Sequence, residues 1–239
     1  MIYSIYPTLL FMLLSFGASN NTTEKVSTNK RVIAATVKIS AEAKIESIYH
    51  NLHTNSFELP KMDSFTEALK GFYELKEKGI ITKDILTLID FSKSANEKRL
   101  WVIDLSTNTI LYHSLVSHGR NTGEEFATSF SNVDSSNKSS LGFYKTGEVY
   151  QGKHGMSLRL DGLERGVNDN ARSRAIVMHG ANYVSNLFIR NNSRLGRSLG
   201  CPAIPEELKQ EIIETIKNKS CLYIYHPSRS TVTLARLVS

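Results

Sequence analysis

Cys201 has more reactive residue types around it than any other position in this sequence. Gly200 precedes it, Ser198, Arg197 and Arg194 lie just upstream, and a His179-Gly180 pair stands 22 positions before it. A thiol titrates near 8.5, so only a few per cent is thiolate at neutral pH, and a nucleophilic cysteine needs a base or a positive field beside it. His179 suits the part of base, because imidazole exchanges its proton near neutrality. Gly180 and Gly200 let backbone amides approach a reacting carbonyl, as an oxyanion hole requires. Arg194 and Arg197 would favour the thiolate and bind a substrate carboxylate. Spacing alone leaves the plainer reading open, in which Cys201 is an inert small hydrophobe and His179 a structural histidine.

Other candidates are less specific. His118 and His154 each precede a glycine, placed either to line a cleft or to serve as turn histidines. Arg172 and Arg174 stand before an apolar segment, where they would meet substrate carboxylates or solvent. The sequence has no HExxH pattern and no C-x-x-C pair, the spacings that hold metals, so it calls for no metal or other cofactor. A metal-dependent peptidase would need His118, His154 and His179 to converge. A non-catalytic envelope-binding module would join Cys201 to Cys221, the ordinary use of two cysteines in an oxidising compartment.

The elements that must position these residues can be read from periodicity. Helical spacing runs through 40–52, and again through Phe65, Leu69, Phe72 and Tyr73, where Ser64 followed by Glu67 reads as a capping box and Gly79 as a stop. From residue 85 the period shortens. Strands are expected at 85–91, 100–105, 109–117, 126–131, 143–149, 156–160 and 175–178, with 106–108 closing a hairpin. Pro205 opens a late helix to about Lys217, and 221–225 reads as a closing strand. Short strands at this spacing predict a predominantly β sandwich or barrel with N-terminal helices and a C-terminal helix, α+β overall.

Residues 5–18 carry no charge, and small residues follow at Gly17, Ala18 and Ser19. At 14 residues this run is short of the ~20 that cross a bilayer but fits the apolar core of a secretory signal. The expected organisation is a signal peptide at 1–19, a polar leader at 20–38, a helical extension at 39–80 packed on the domain, and a catalytic domain at 81–239. That places the mature protein outside the cytoplasm, with no stable membrane span. The net charge of +6 comes from 29 Lys and Arg scattered among 23 acids, without the dense basic block that nucleic acid demands.

The stretch from His179 to Pro202 resembles the catalytic signature of the L,D-transpeptidases, the YkuD-like fold: HG, a spacer, then S-H-G-C-x-R. It is closer to a divergent branch reading G-R-S-x-G-C-P, matched here by Gly196 to Pro202. Upstream, RLWVIDLS, SHGRNTG, ATSFSN, SSLGFYKTGEVYQGKHGMSLRLDGLE and NDNARSRAIVMHGA are similar to the same branch. The resemblance implies a largely β domain that performs cysteine-dependent acyl transfer on peptidoglycan stem peptides. Cys201 would be the nucleophile and His179 the base, D-alanine the leaving group, and donor and acceptor stems the partners. Two positions depart from the signature: Leu199 replaces its second histidine and Ala203 its arginine, so neither role transfers to those positions. Arg194 or Arg197 would then have to supply the missing guanidinium.

Overall fold

Segments such as Ile85–Asp90 and Cys221–Tyr225 are apolar at nearly every position, which is what a strand covered on both faces requires. The computed structural model describes residues 42–229, nearly all of them in the second of the two units into which the chain divides, Met1–Lys44 and Ile45–Ser239. The expected signal peptide at 1–19 and leader at 20–38 lie outside the described residues.

Helix α1 covers 42–50 and α2 covers Met62–Glu77. Strands β1 (Ile85–Asp90), β2 (Leu100–Asp104) and β3 (Thr109–Ser114) follow, then β4 (Gly142–Gly152), β5 (Gly155–Gly162) and β6 (Val177–Ala181). Helix α3 (Asn186–Asn192), strand β7 (Ala203–Pro205), a 3-10 turn at Glu206–Leu208, helix α4 (Lys209–Ile216) and strand β8 (Cys221–Tyr225) complete the order. The eight strands form one mixed sheet in the order β3-β2-β1-β8-β4-β5-β6-β7, with β1/β8 and β6/β7 parallel and the other pairs antiparallel.

Alternate residues of the central strands feed two cores. Leu86, Leu88, Cys221 and Tyr223 meet Phe65, Leu69, Phe72 and Leu75 of α2, while Ile89, Leu222 and Ile224 meet Ile212, Ile213 and Ile216 of α4. Burying each such side chain contributes about 1.5–3 kcal/mol before the entropy of ordering it. This is the expected α+β architecture.

Three local expectations are corrected. Helix α2 begins at Met62 behind Lys61, with no side-chain cap. Ser64 lies inside the first turn with its hydroxyl donating to Lys61 O (3.0 Å), and Glu67 accepts from Tyr223 Oη (2.7 Å), so neither closes a capping box. The strand expected at 126–131 is a loop. Thr128 and Ser129 both donate their amides to Thr122 O (2.9 Å each), which folds the segment on itself instead of onto a neighbouring strand. Strand β6 starts later than 175, because Ala175 has φ +53°, outside the extended region.

Candidate active site

The sheet places the site at its β6/β7 end. His179 lies in β6, paired with Ser157 of β5 on one side and Ala203 of β7 on the other. Because β6 and β7 run parallel with His179 opposite Ala203, Cys201 emerges two residues before that register point, at the same end of the sheet. The β4–β5 hairpin turns through Lys153 and His154, with Gly155 at φ +71° as the turn demands, and brings His154 over the site. A cleft of about 450 Å³ is lined by His154, Arg174, His179, Tyr183, Ser198 and Cys201, with Tyr150, Lys153, Arg197 and Leu199 also on its wall.

His179 is 2% exposed. Its Nδ1 donates to Gly180 O (2.8 Å), which fixes the tautomer and leaves Nε2 as the acceptor. The ring stacks on His154 with centroids 4.4 Å apart and planes at 17°. Burial lowers its pKa below the ordinary imidazole value, and the neighbouring His154 adds to that, against the Gly180 bond and Glu206. Cys201 is partly exposed, and both it and Cys221 are free thiols. Its Sγ donates to Ala175 O (3.7 Å) and forms no hydrogen bond with His179. Burial raises the thiol pKa, opposed by the Val177 amide and by the positive charge of Arg174.

The turn that carries the cysteine is built by its own residues. Ser198 Oγ donates to Cys201 O (2.6 Å) and accepts from Gly200 N (3.0 Å). Gly200 sits at φ +128°, and a Cβ there would come within 2.9 Å of Lys138 O. Gly200 is therefore needed for its conformation, and its amide, already engaged by Ser198, is not a free oxyanion donor. Gly180 is closed in from the other side, since a Cβ would fall 2.3 Å from the Glu206 carboxylate.

Several anticipated residues lie elsewhere. His118 is 0% exposed and outside the cleft. Its Nδ1 accepts from Arg99 Nη2 (2.8 Å), its Nε2 donates to Gly123 O (3.2 Å), and burial drives its pKa down to about 4. Arg172 is held by Asp161 and by two bonds to Glu148 (3.1 Å each), away from the cleft. Arg194 pairs with Glu124 (3.1 Å) and is off the cleft wall as well. Arg197 is on the wall, with its guanidinium tied to Glu124 (2.6 Å), Arg120 O and Gly123 O. No group of three or more His, Cys, Asp or Glu among the described residues is arranged to hold a metal ion, so His118, His154 and His179 do not form a ligand trio. Cys221 is buried in β8, in the core that α2 covers.

Tyr150, Lys153 and Tyr183 of the cleft wall escape a sequence reading. Tyr183 follows the His-Gly pair in HGANY, with nothing in its spacing to mark it. Its hydroxyl is pushed up to about 12, by burial first and then by its proximity to Cys201. Leu199, standing where the resembled signature has histidine, is 62% exposed on the cleft wall.

No sequence among functionally curated proteins matches the chain. Solved structures give distant matches. An L,D-transpeptidase from Mycobacterium smegmatis is 10% identical with TM-score 0.36, covering 60% of this chain and 59% of its own. The helical cell shape determining protein Pgp2 from Campylobacter jejuni is 14% identical with TM-score 0.41, covering 66% and 54%. An L,D-transpeptidase from Stackebrandtia nassauensis is 9% identical with TM-score 0.36, covering 69% and 68%. The chain thus spans less than two-thirds of the length of the first two. The profile of the L,D-transpeptidase catalytic domain matches residues 58–225, from before α2 to the end of β8, and by that match the chain belongs to the L,D-transpeptidase catalytic domain family.

Proposed function

We propose that the protein is a peptidoglycan L,D-transpeptidase that works through a thioester on Cys201. The observation that carries this is His179: its Nδ1 is committed to Gly180 O, its Nε2 is left as an acceptor, and it shares a cleft with a free, partly exposed thiol. In the resting geometry the thiol rests on Ala175 O instead. Entry of the donor stem moves Sγ from that carbonyl towards Nε2, a shortening common when a substrate completes a site. His179 takes the thiol proton, and the sulfur attacks the carbonyl that precedes D-alanine. The C–N bond then breaks, His179 returns the proton to the departing amine, and the acyl group stays on Cys201. An amine of a second stem resolves the thioester to a cross-link; water resolves it to a trimmed stem. Ser198 and Gly200 act by holding the turn, and Tyr183 and Leu199 form the wall against which the donor lies.

The same reading assigns 1–19 to an export signal and puts the mature protein in the bacterial envelope, where its substrate is. Among the described residues no helix is long and apolar enough to cross a membrane. A mature N-terminus near Ser19, found outside the cytoplasm, is the expected result of fractionation and N-terminal sequencing.

Incubation with a tetrapeptide muropeptide should release D-alanine and leave a transient acyl adduct on the peptide that contains Cys201. Cys201→Ala should abolish both, since the remaining residues have no other nucleophile in that position. A carbapenem should form an adduct at the same sulfur. Turnover that survives Cys201→Ala but stops with a chelator would replace this mechanism with a metallopeptidase.

A further inference from the structure

Arg172, Arg194 and Arg197 each have a carboxylate partner, Glu148 and Asp161 for the first and Glu124 for the other two. Arg174 has none among the described residues. Its guanidinium is held only by neutral oxygens: Nη1 donates to Ser131 O (2.9 Å) and Ser140 Oγ (2.6 Å), and Nη2 to Lys138 O (2.7 Å) and Ser136 Oγ (3.2 Å). Its Nε is buried without a partner. Four bonds from one loop fix the cation in place and leave its charge uncompensated, on the wall of the cleft that contains Cys201.

The same loop supports the cysteine turn. Lys138 O, one of the Arg174 acceptors, is the atom that a Cβ on Gly200 would strike, and Ser139 Oγ donates to Gly200 O (3.0 Å). On the other side Arg174 leads directly into Ala175, whose left-handed backbone, uncommon for a residue with a Cβ, presents the carbonyl on which the thiol rests. Arg174 therefore borders the nucleophile both through the loop behind it and through the residue in front of it.

We propose that Arg174 is the fixed cation of this site: a positioning residue that stabilises the Cys201 thiolate and holds the loop against which its turn is set. The other titratable groups on the cleft wall are Tyr150, Lys153, His154, His179, Tyr183 and Arg197, with the Glu206–Lys209 pair next to Gly180. Of these, Arg197 and Lys209 have carboxylate partners, and both histidines stack on each other. A site that must form an anion gains most from a charge already fixed in place, because no reorganisation is needed as the proton leaves.

This rests on Cys201 being the nucleophile, but its test needs no wall substrate. Alkylation of Cys201 by iodoacetamide is followed by peptide mass across pH in the folded protein. In Arg174→Gln the midpoint of the rate profile should rise, slowing alkylation at neutral pH by roughly tenfold for each pH unit of displacement. Arg174→Lys should recover part of the profile, since it keeps the charge but not the fork. Ser136→Asp keeps the clamp and places a carboxylate against the guanidinium, so it should slow alkylation as well. If Arg174→Gln does not fold, Ser136→Asp decides alone, because a purely structural Arg174 would tolerate a stronger partner. An unchanged profile in Ser136→Asp, or in a folded Arg174→Gln, overturns the proposal. Because Cys201→Ala is scored by muropeptide turnover, failure here leaves the assignment of the nucleophile standing or falling by itself.

Discussion

Two of the three His-Gly pairs, His118-Gly119 and His179-Gly180, look alike in the sequence and are both buried, yet their surroundings give them opposite capacities. Both rings have lowered pKa values, with burial as the main cause. At His118 each nitrogen is engaged, one accepting from Arg99 and the other donating to Gly123 O. At His179 only Nδ1 is engaged. The difference is one uncommitted nitrogen on a cleft, and without it an imidazole is a bracket between segments rather than a base. The two are also connected. Ser198 N donates to His118 O (3.0 Å) and Arg120 N to Ser198 O (2.8 Å), so the segment fixed by His118 and Arg99 is the one on which the cysteine turn begins.

The sharpest way to break this comparison is to exchange the two rings for other side chains. His179→Ala should lower muropeptide turnover by ~10²–10⁴, the range of a lost general base, with the fold intact by circular dichroism. His118→Gln, which keeps an acceptor for Arg99, should stay within a few-fold of wild type. Equal losses in the two variants would mean that the engaged nitrogens do not distinguish them.

Acid sharpens the contrast through stability. His118 in the folded protein has its pKa near 4, below the ordinary imidazole value of about 6.5, so the unfolded chain binds its proton first. The stability carried by the neutral ring is complete above about pH 6.5 and is lost as pH falls towards 4, up to roughly 3 kcal/mol. Urea midpoints measured across that window should fall less steeply in His118→Gln than in wild type. Parallel curves would mean that the buried ring does not titrate in this way.

The smallest effect is expected at the second cysteine. Cys221→Ala removes a buried thiol from the core under α2 and should cost about 1 kcal/mol while leaving turnover unchanged. Loss of activity there, or a Cys201–Cys221 link in the active enzyme, would contradict the separation of the two thiols.

Much of the fold is legible in the sequence, because the central strands are continuous apolar runs and α2 repeats large side chains every three or four positions. The order of the strands is not legible, since β8 ends the pattern in sequence but lies between β1 and β4 in the sheet. Helix α3 is missed because it is seven residues long and its apolar residues, Leu187, Phe188 and Ile189, are consecutive, which gives no helical period. In the site, Cys201 and His179 stand out through their flanking glycines. Arg172 and Arg174 cannot be told apart two positions from each other, because what separates them is the carboxylates that one meets and the other does not. Those carboxylates, Glu148 and Asp161, come from the β4–β5 hairpin, a relation set by tertiary packing alone.

The place of β8 has a consequence for how the protein is made. β1 pairs with it in parallel and β4 antiparallel, so in the sheet order the β1–β3 and β4–β7 halves are joined by the last of the eight strands to be synthesised. Until Tyr225 has emerged, β1 and β4 each present an unpaired backbone edge, and the β1–β8 contacts span well over half of the described chain. Such a topology folds late and slowly. A nascent chain that cannot complete its sheet stays threadable, and it needs protection from pairing with its neighbours for as long as that edge is open.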